Sequence, residues 1–349
     1  MGLLIKRKKW KYILLIHCLV LVLICIFSFT IGPADISFRE AAAIIFGRMP
    51  VLKNWIDLEQ YSPVAQTIIW SLRMPRVILA ALVGGALGVT GGAFQAFFKN
   101  PLADPYVIGV SSGAALGATV GIVSGTAGAL GLMRIPLFSF LGALLTTWIV
   151  YSLAKSYNRI VASTLLLAGV ALNSFMSAIM SFLMVINAEK IERIFLWLMG
   201  SFANRTWQHV LIAAPLIFVG VLILFSMAKE LNAMVFGDST AQHLGIDLRK
   251  IQIILLLAAS LTAAGAVAIC GTIGFVGLII PHIARLLAGP DHRILLPFSF
   301  LLGGTVMVVA DTLARTLFEP LEIPIGIITA LFGGPFFIYL LKKKKAVSL

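Results

Sequence analysis

Two groups of residues in this sequence have types and spacing that could do chemistry. The first is a set of arginines at helix ends. Leu72-Arg73-Met74-Pro75-Arg76 opens an apolar run, with Pro75 suited to a first helical turn, and Arg315 stands four residues after Asp311 near the end of another run. A guanidinium grips a carboxylate with two prongs, so Arg73, Arg76 and Arg315 could dock acidic groups of an external partner. Two simpler readings stay open. Long cationic side chains snorkel to lipid headgroups, and Asp311 could neutralise Arg315 across one helical turn. The second group is the loop 236–250. Ser239 and Gln242 fit a capping box, and Gly245 suits the left-handed position that ends a helix. The spacing predicts little more than one helical turn, with Gly237, Asp238, Ala241, Leu244 and Gly245 in or beside it. A helix that short is marginal alone and needs a surface to dock on; an ordinary capped loop is the alternative.

Much other chemistry is missing. No G-x-x-x-x-G-K-[ST] occurs, so the chain has no phosphate-binding loop of that kind. Cys18, Cys25 and Cys270 lie in apolar runs and read as small buried hydrophobes. The five histidines are scattered with none paired at i, i+4, so no metal site is expected. Apart from Asp311, no acid stands well inside an apolar segment, and proton- or sodium-driven carriers usually need such groups. No nucleophile–base pair for an intramembrane enzyme stands out.

The elements that must position these residues are membrane helices. The 349 residues are 60% hydrophobic and 12% charged, with a mean hydropathy of +1.03. A soluble domain carries about 25% charged residues, and with half that a soluble globule would expose large aggregating patches. Disorder is excluded for the opposite reason, too little polarity. Lys6-Arg7-Lys8-Lys9-Trp10-Lys11 precedes the apolar run Tyr12–Ile31, which is too long for a signal peptide and reads as a first transmembrane helix. Phe38–Phe46 reads as a short surface helix. Nine more apolar segments follow, at 76–97, 106–125, 136–154, 162–186, 207–228, 250–273, 275–288, 294–314 and 324–341. Ten crossings put both termini on one side. With the N-terminus inside, that side holds 17 of the 27 Lys and Arg but 5 of the 14 acids, so +12 of the net +13 falls there. Nucleic acid therefore does not account for the charge.

Glycine spacing reports on packing. Gly84, Gly88 and Gly92 recur every four residues, as do Gly109, Gly113 and Gly117. A four-residue period leaves one helix face bare, so a neighbour can approach closely, and such thin helices could also flank a passage. A Gly-rich helix running into Pro101 is echoed by Leu255–Phe275 running into Pro281. Paired interrupted segments of opposite direction mark inverted-repeat transporters.

These blocks, in order, resemble a known family. Arg73-Met-Pro-Arg76, Gly84-Gly-Ala-Leu-Gly88, Gly91-Gly-Ala-Phe-Gln95, Asn100-Pro-Leu-Ala-Asp-Pro105 and Gly109-Val-Ser-Ser-Gly113 are similar to the permease subunits of ABC importers for ferric siderophores, haem and vitamin B12. So are Leu165-Leu-Leu-Ala-Gly169, Gly271-Thr-Ile-Gly-Phe-Val-Gly277, Pro281-His282, Ala310-Asp311 and Gly333-Gly-Pro335. The resemblance covers about residues 65–341. It implies an all-α polytopic membrane protein, residues 1–349 as one permease domain with ten transmembrane helices per subunit. The two five-helix halves are related as inverted repeats. Residues 1–11 form a basic cytoplasmic N-terminus and 342–349 a cytoplasmic tail, in a bacterial inner membrane. It further implies a homodimer, two ATP-binding subunits that hold Mg-ATP, and an extracytoplasmic binding protein or lipoprotein, with no cofactor in this chain. Arg73, Arg76 and Arg315 would meet the binding protein, and 236–248 would carry the coupling helix. Ala162 and Ser163 match the cytoplasmic gate, where Ala162 departs from the small hydroxyl residue common in the family.

Overall fold

The computed structural model describes residues 2–32, 34, 36–48, 56–125, 131–156 and 159–347; Met1 of the N-terminal segment and residues 348–349 of the tail lie outside them. The first half contains α1 (Gly2–Thr30), α2 (Phe38–Gly47), α3 (Pro63–Thr67), α4 (Met74–Phe97), α5 (Val110–Val123), α6 (Arg134–Ala154) and α7 (Ala162–Ile186). The rest contains α8 (Ile191–Leu198), α9 (Trp207–Ser226), α10 (Ala228–Val235), α11 (Asp238–His243), α12 (Leu248–Cys270), α13 (Val276–Ala288), α14 (His292–Thr316) and α15 (Ile325–Val347). The strands among the described residues are the two-residue β1 (Lys155–Ser156) and β2 (Arg159–Ile160), an antiparallel pair between α6 and α7.

Seven helical stretches are long and apolar enough to cross a membrane, and three shorter apolar helices, Val110–Val123, Val276–Ala288 and Ile325–Leu340, bring the described set to the expected ten. Large apolar side chains such as Leu19, Leu167, Phe182 and Leu222 face outward, as lipid contact requires. The chain is a multi-pass membrane protein.

Helix α4 is the axis of the fold, buried along almost its whole length, with α14, α13, α12 and α9 packed around it. The glycine period explains how. A Cβ on Gly88 would come within 2.6 Å of the Ser299 carbonyl of α14, and one on Gly84 would strike the Gly303 carbonyl. A Cβ on Gly91 would strike the Gly277 carbonyl of α13. Pro281 lacks the N–H that would bond Gly277, so that carbonyl is free to face the Gly91 backbone. Gly92 lies against Leu296 and Pro281. On the second stripe, Gly113 and Gly117 meet α6 at Gly142 and Phe138. Gly109 is more than a face residue, because its φ of +84° forms the left-handed step into α5.

The internal repeat is visible in the order of elements. A long buried helix, a short helix and two long helices occur as α4, α5, α6, α7 and again as α12, α13, α14, α15. Both short helices begin after a left-handed residue, Gly109 in one half and Phe275 (φ +69°) in the other. Each step is backed by a glycine of the last long helix, Gly169 against Val107 and Gly333 against Phe275. Five crossings separate corresponding elements, so the halves run in opposite directions.

Two expectations are corrected. The second crossing begins at Pro63, not near Arg76, because α3 and α4 are continuous through a π-helical turn at Ile68–Arg73. The wider turn makes room for the Pro75 ring, which would clash with the carbonyl one turn back. The first helix begins at Gly2, so the basic segment is part of it. The expected short surface helix at 38–46 is present as α2, capped by Ser37, with Phe38, Arg39 and Phe46 exposed and Ala41, Ile44 and Ile45 buried.

The link between α4 and α5 joins the two halves. Asp104 Oδ1 accepts from the Tyr106 N–H at 2.8 Å, and the Tyr106 hydroxyl donates to the Ile273 carbonyl at 2.9 Å. Burial pushes the Asp104 carboxyl up to about 6. Its unfolded value is about 3.9, so the folded state binds the proton more tightly. The resulting stability is full below about pH 4 and lost as pH rises through about 6. Asp104→Asn keeps the acceptor without the charge. It should melt higher than wild type at pH 7–8 and at the same temperature at pH 4, in thermal denaturation followed across pH.

Candidate functional site

The chemistry-bearing residues collect at the two ends of α4. The helix has 24 residues, which places its ends about 36 Å apart.

At the first end, the arginines are inside the protein. Arg73, Arg76 and Arg315 are 5%, 9% and 3% exposed. Arg73 donates to the carbonyls of Phe29 and Thr30 at 2.8 and 3.1 Å and to Ala34 at 2.9 Å. It thereby places a cation at the C-terminus of α1, where the helix dipole favours one. Arg76 binds Asp311 through Nε and Nη2 at 3.0–3.1 Å, while its Nη1 meets both Glu322 oxygens at 2.9 Å. Arg315 donates to Ser28 Oγ at 2.7 Å and to the Ser28 carbonyl. The expected Asp311–Arg315 ion pair is therefore not made, because Arg76 reaches Asp311 from α4 with a two-pronged fit. The guanidinium heads sit among protein carbonyls and carboxylates, which removes headgroup snorkelling as their account. A cavity of about 340 Å³ opens beside them, lined by Arg73, Arg76, Arg205, Arg315 and Glu322.

At the other end stands α11. It starts at Asp238, after Gly237 at φ +119°, with no side-chain cap. The Ser239–Gln242 capping box is thus corrected: the chain turns into the helix two residues earlier, at Gly237, and glycine supplies the turn. The C-terminal reading holds. Gly245 has φ +81°, its N–H reaches the Gln242 carbonyl at 2.9 Å, and the Ile246 N–H reaches Ala241 at 3.1 Å, the paired bonds of a glycine-stopped helix. Ala241 is fully buried and seats the helix, while Phe236 and Leu244 on either side are 79% and 68% exposed. Lys99, just past α4, pairs with Asp238 at 2.6 Å. Preceding it, α10 is tied to α14 by Asn232, which donates to Asp291 at 2.8 Å and accepts from the His292 N–H at 2.9 Å. Asp291 is held below the usual carboxylate range, chiefly by its hydrogen bonds to Arg293. The helix is tied to the bundle by Ala241 and Lys99, while Phe236 and Leu244 on either side are largely exposed among the described residues.

Ala162 and Ser163 are the first residues of α7, directly after the β1–β2 pair. Ser163 is exposed and Ala162 half-buried. Among the described residues, no cluster of three or more His, Cys, Asp or Glu could hold a metal ion.

Sequence reasoning missed Lys99, Phe236, Glu322 and Arg205. An aromatic beside a glycine turn was a signal for Phe236. Glu322 gave none, because its partner is 246 residues away.

The model of the FecCD transport family matches residues 19–343. The chain belongs to the FecCD transport family. Among its relatives in this family, a cobalamin import system permease protein, BtuC of Halobacterium salinarum, is 40% identical, covering 94% of this chain and 95% of its own. The hemin transport system permease protein HmuU of Yersinia pestis is also 40% identical, covering 79% of this chain and 84% of its own. A metal-chelate type ABC transporter solved in an inward-facing conformation superposes with a TM-score of 0.81 at 35% identity, covering 95% of this chain and 99% of that one. The family thus carries the ten-helix fold and the ordered sequence blocks together.

Proposed function

We propose that this chain is the membrane permease subunit of an ATP-driven importer that takes up an iron chelate, a ferric siderophore or haem. Two copies form the passage between them in a bacterial inner membrane, with both termini in the cytoplasm. Two separate ATP-binding subunits hold Mg-ATP, and an extracytoplasmic binding protein delivers the cargo. The observation that carries this reading is α11: a short helix seated by Ala241, linked to α4 through Lys99–Asp238, and flanked by exposed Phe236 and Leu244. Such a helix fits a cleft on an ATPase subunit and passes its motion into the bundle. The same machine carrying cobalamin is the second reading, supported by the relative named as a cobalamin permease.

At the opposite end, Arg73, Arg76 and Arg315 receive acidic groups of the binding protein. Their burial makes this an exchange of partners. Glu322, whose side chain is 43% exposed, occupies the outer edge of Arg76 and stands where an incoming carboxylate would bind. Glu322→Gln should therefore strengthen capture of the binding protein by about threefold, the scale of a partly exposed ion pair, in a surface-capture assay. Unchanged or weaker capture would remove Glu322 as a competitor. Ala162 and Ser163 act at the cytoplasmic gate at the start of α7. The reading is tested by reconstituting the permease with its ATP-binding subunits: loaded binding protein should stimulate ATP hydrolysis, and a failure to stimulate it would count against the assembly.

A further inference from the structure

A second cavity at the arginine end, of about 650 Å³, lies between the first turn of α6, α8, the loop 200–206 and the end of α12. Its wall carries the partly buried Arg134 and Arg205 and, at its exposed edge, Arg193. None of the three forms an ion pair among the described residues. Among the described residues, the Nε atoms of Arg134 and Arg205 are buried without a hydrogen-bond partner. Glu322, the carboxylate on this wall, is already bound by Arg76. Burial also lowers the pKa of Arg205, the direction expected of a cation short of solvent and partner. An unmet buried donor is destabilising, and three like charges share one wall. These features mark a wall waiting for an anion.

The shape narrows the occupant. A volume of about 650 Å³ falls within the roughly 300–1,000 Å³ of small-molecule sites, enough for a metal chelate. Planar guanidinium forks match carboxylates and other oxyanions better than neutral donors. Trp197, Leu132 and Pro136 give the cavity an apolar side, suited to the carbon skeleton of such a chelate. We infer that this cavity is a transit site for a ferric chelate bearing ionised carboxylates, held by Arg134, Arg193 and Arg205. The inference rests on the importer reading above and specifies its substrate class: an anionic chelate, not a neutral hydroxamate chelate or a corrin.

The test uses the full-length chain in phosphatidylcholine nanodiscs, with radiolabelled ferric citrate as the probe in equilibrium binding. Saturable binding is expected, weakened at least about tenfold in Arg134→Gln/Arg205→Gln, the scale of a lost charge-assisted bond. Arg134→Lys/Arg205→Lys should keep most of it, which separates charge from folding. Neutral ferrichrome should bind no differently to wild type and the glutamine variant. No saturable ferric citrate binding, or equal binding by wild type and the glutamine variant, would overturn the inference. Two further arms address other sources of the same chemistry. If phosphatidylglycerol in the nanodiscs abolishes chelate binding, the site belongs to a lipid headgroup. If inorganic phosphate competes as tightly as ferric citrate, it belongs to a small oxyanion. Either result overturns the chelate assignment, as would an effect of the glutamine variant on binding-protein capture alone. ATP-driven uptake distinguishes the two levels. Uptake that does not need ATP removes the importer reading, whereas ATP-driven uptake with unaltered chelate binding by the glutamine variant removes this inference alone.

Discussion

Phe236→Glu combined with Leu244→Glu is expected to abolish capture of the ATP-binding subunits while leaving the permease folded. Both side chains are largely exposed in the free chain, so their replacement removes no internal packing. Burial of two large apolar side chains in a partner cleft contributes about 1.5–3 kcal/mol each. Losing both, and placing two charges in the cleft, should weaken association by more than about 100-fold. Co-purification from detergent reads the affinity, and size-exclusion chromatography reads the fold. ATPase stimulation should vanish with binding. Lys99→Ala separates attachment from transmission. It leaves the tip residues in place, so capture should persist while stimulation by the binding protein falls. Normal capture by the double glutamate variant would show that α11 is an ordinary surface turn.

The second large effect concerns the ion pair within the membrane domain. Asp311 is 1% exposed and holds Arg76 with two-pronged geometry. Removing one member of a buried pair leaves an uncompensated charge, at a cost of about 3–5 kcal/mol. Asp311→Ala should therefore lower the apparent melting temperature in detergent by on the order of 10 °C. Asp311→Asn, which keeps the shape and an acceptor oxygen, should lose less. A second change at Arg76 to Gln should recover part of the loss, because the stranded charge goes with it. A melting temperature unchanged in Asp311→Ala would mean that Glu322 alone suffices for Arg76. This pair also refines the docking proposal: replacing Arg76 perturbs the bundle as well as any external contact, so Glu322 at the rim gives the cleaner test of docking.

The elements were legible in the sequence because membrane helices must bury their own backbone polarity and so appear as long apolar runs. The glycine period foretold a close helix approach on one face of α4, since only a bare face permits it; that the neighbour is α14 came from the fold. Gly245 announced the end of α11 for the same reason: its φ is one that side chains resist. What sequence did not reveal are pairings that the fold brings together from far apart. Asp311 has Arg315 one turn away and yet binds Arg76, 235 residues distant, because the distant guanidinium meets it head-on. The start of the second crossing was hidden by Pro75, which reads as a helix opening but sits in a helix widened by a π turn. The unpaired arginines of the larger cavity stood in the charge pattern only as exceptions to a bias; their convergence on one wall is a product of α6, α8 and the loop before α9.

Transport through this chain should be driven by ATP bound to other subunits. It is tested most directly by uptake of a ferric chelate into proteoliposomes holding the permease, its ATP-binding subunits and the loaded binding protein. Uptake is expected to require ATP and to continue when an uncoupler collapses the ion gradients. Uptake that proceeds without ATP and stops with the uncoupler would contradict it.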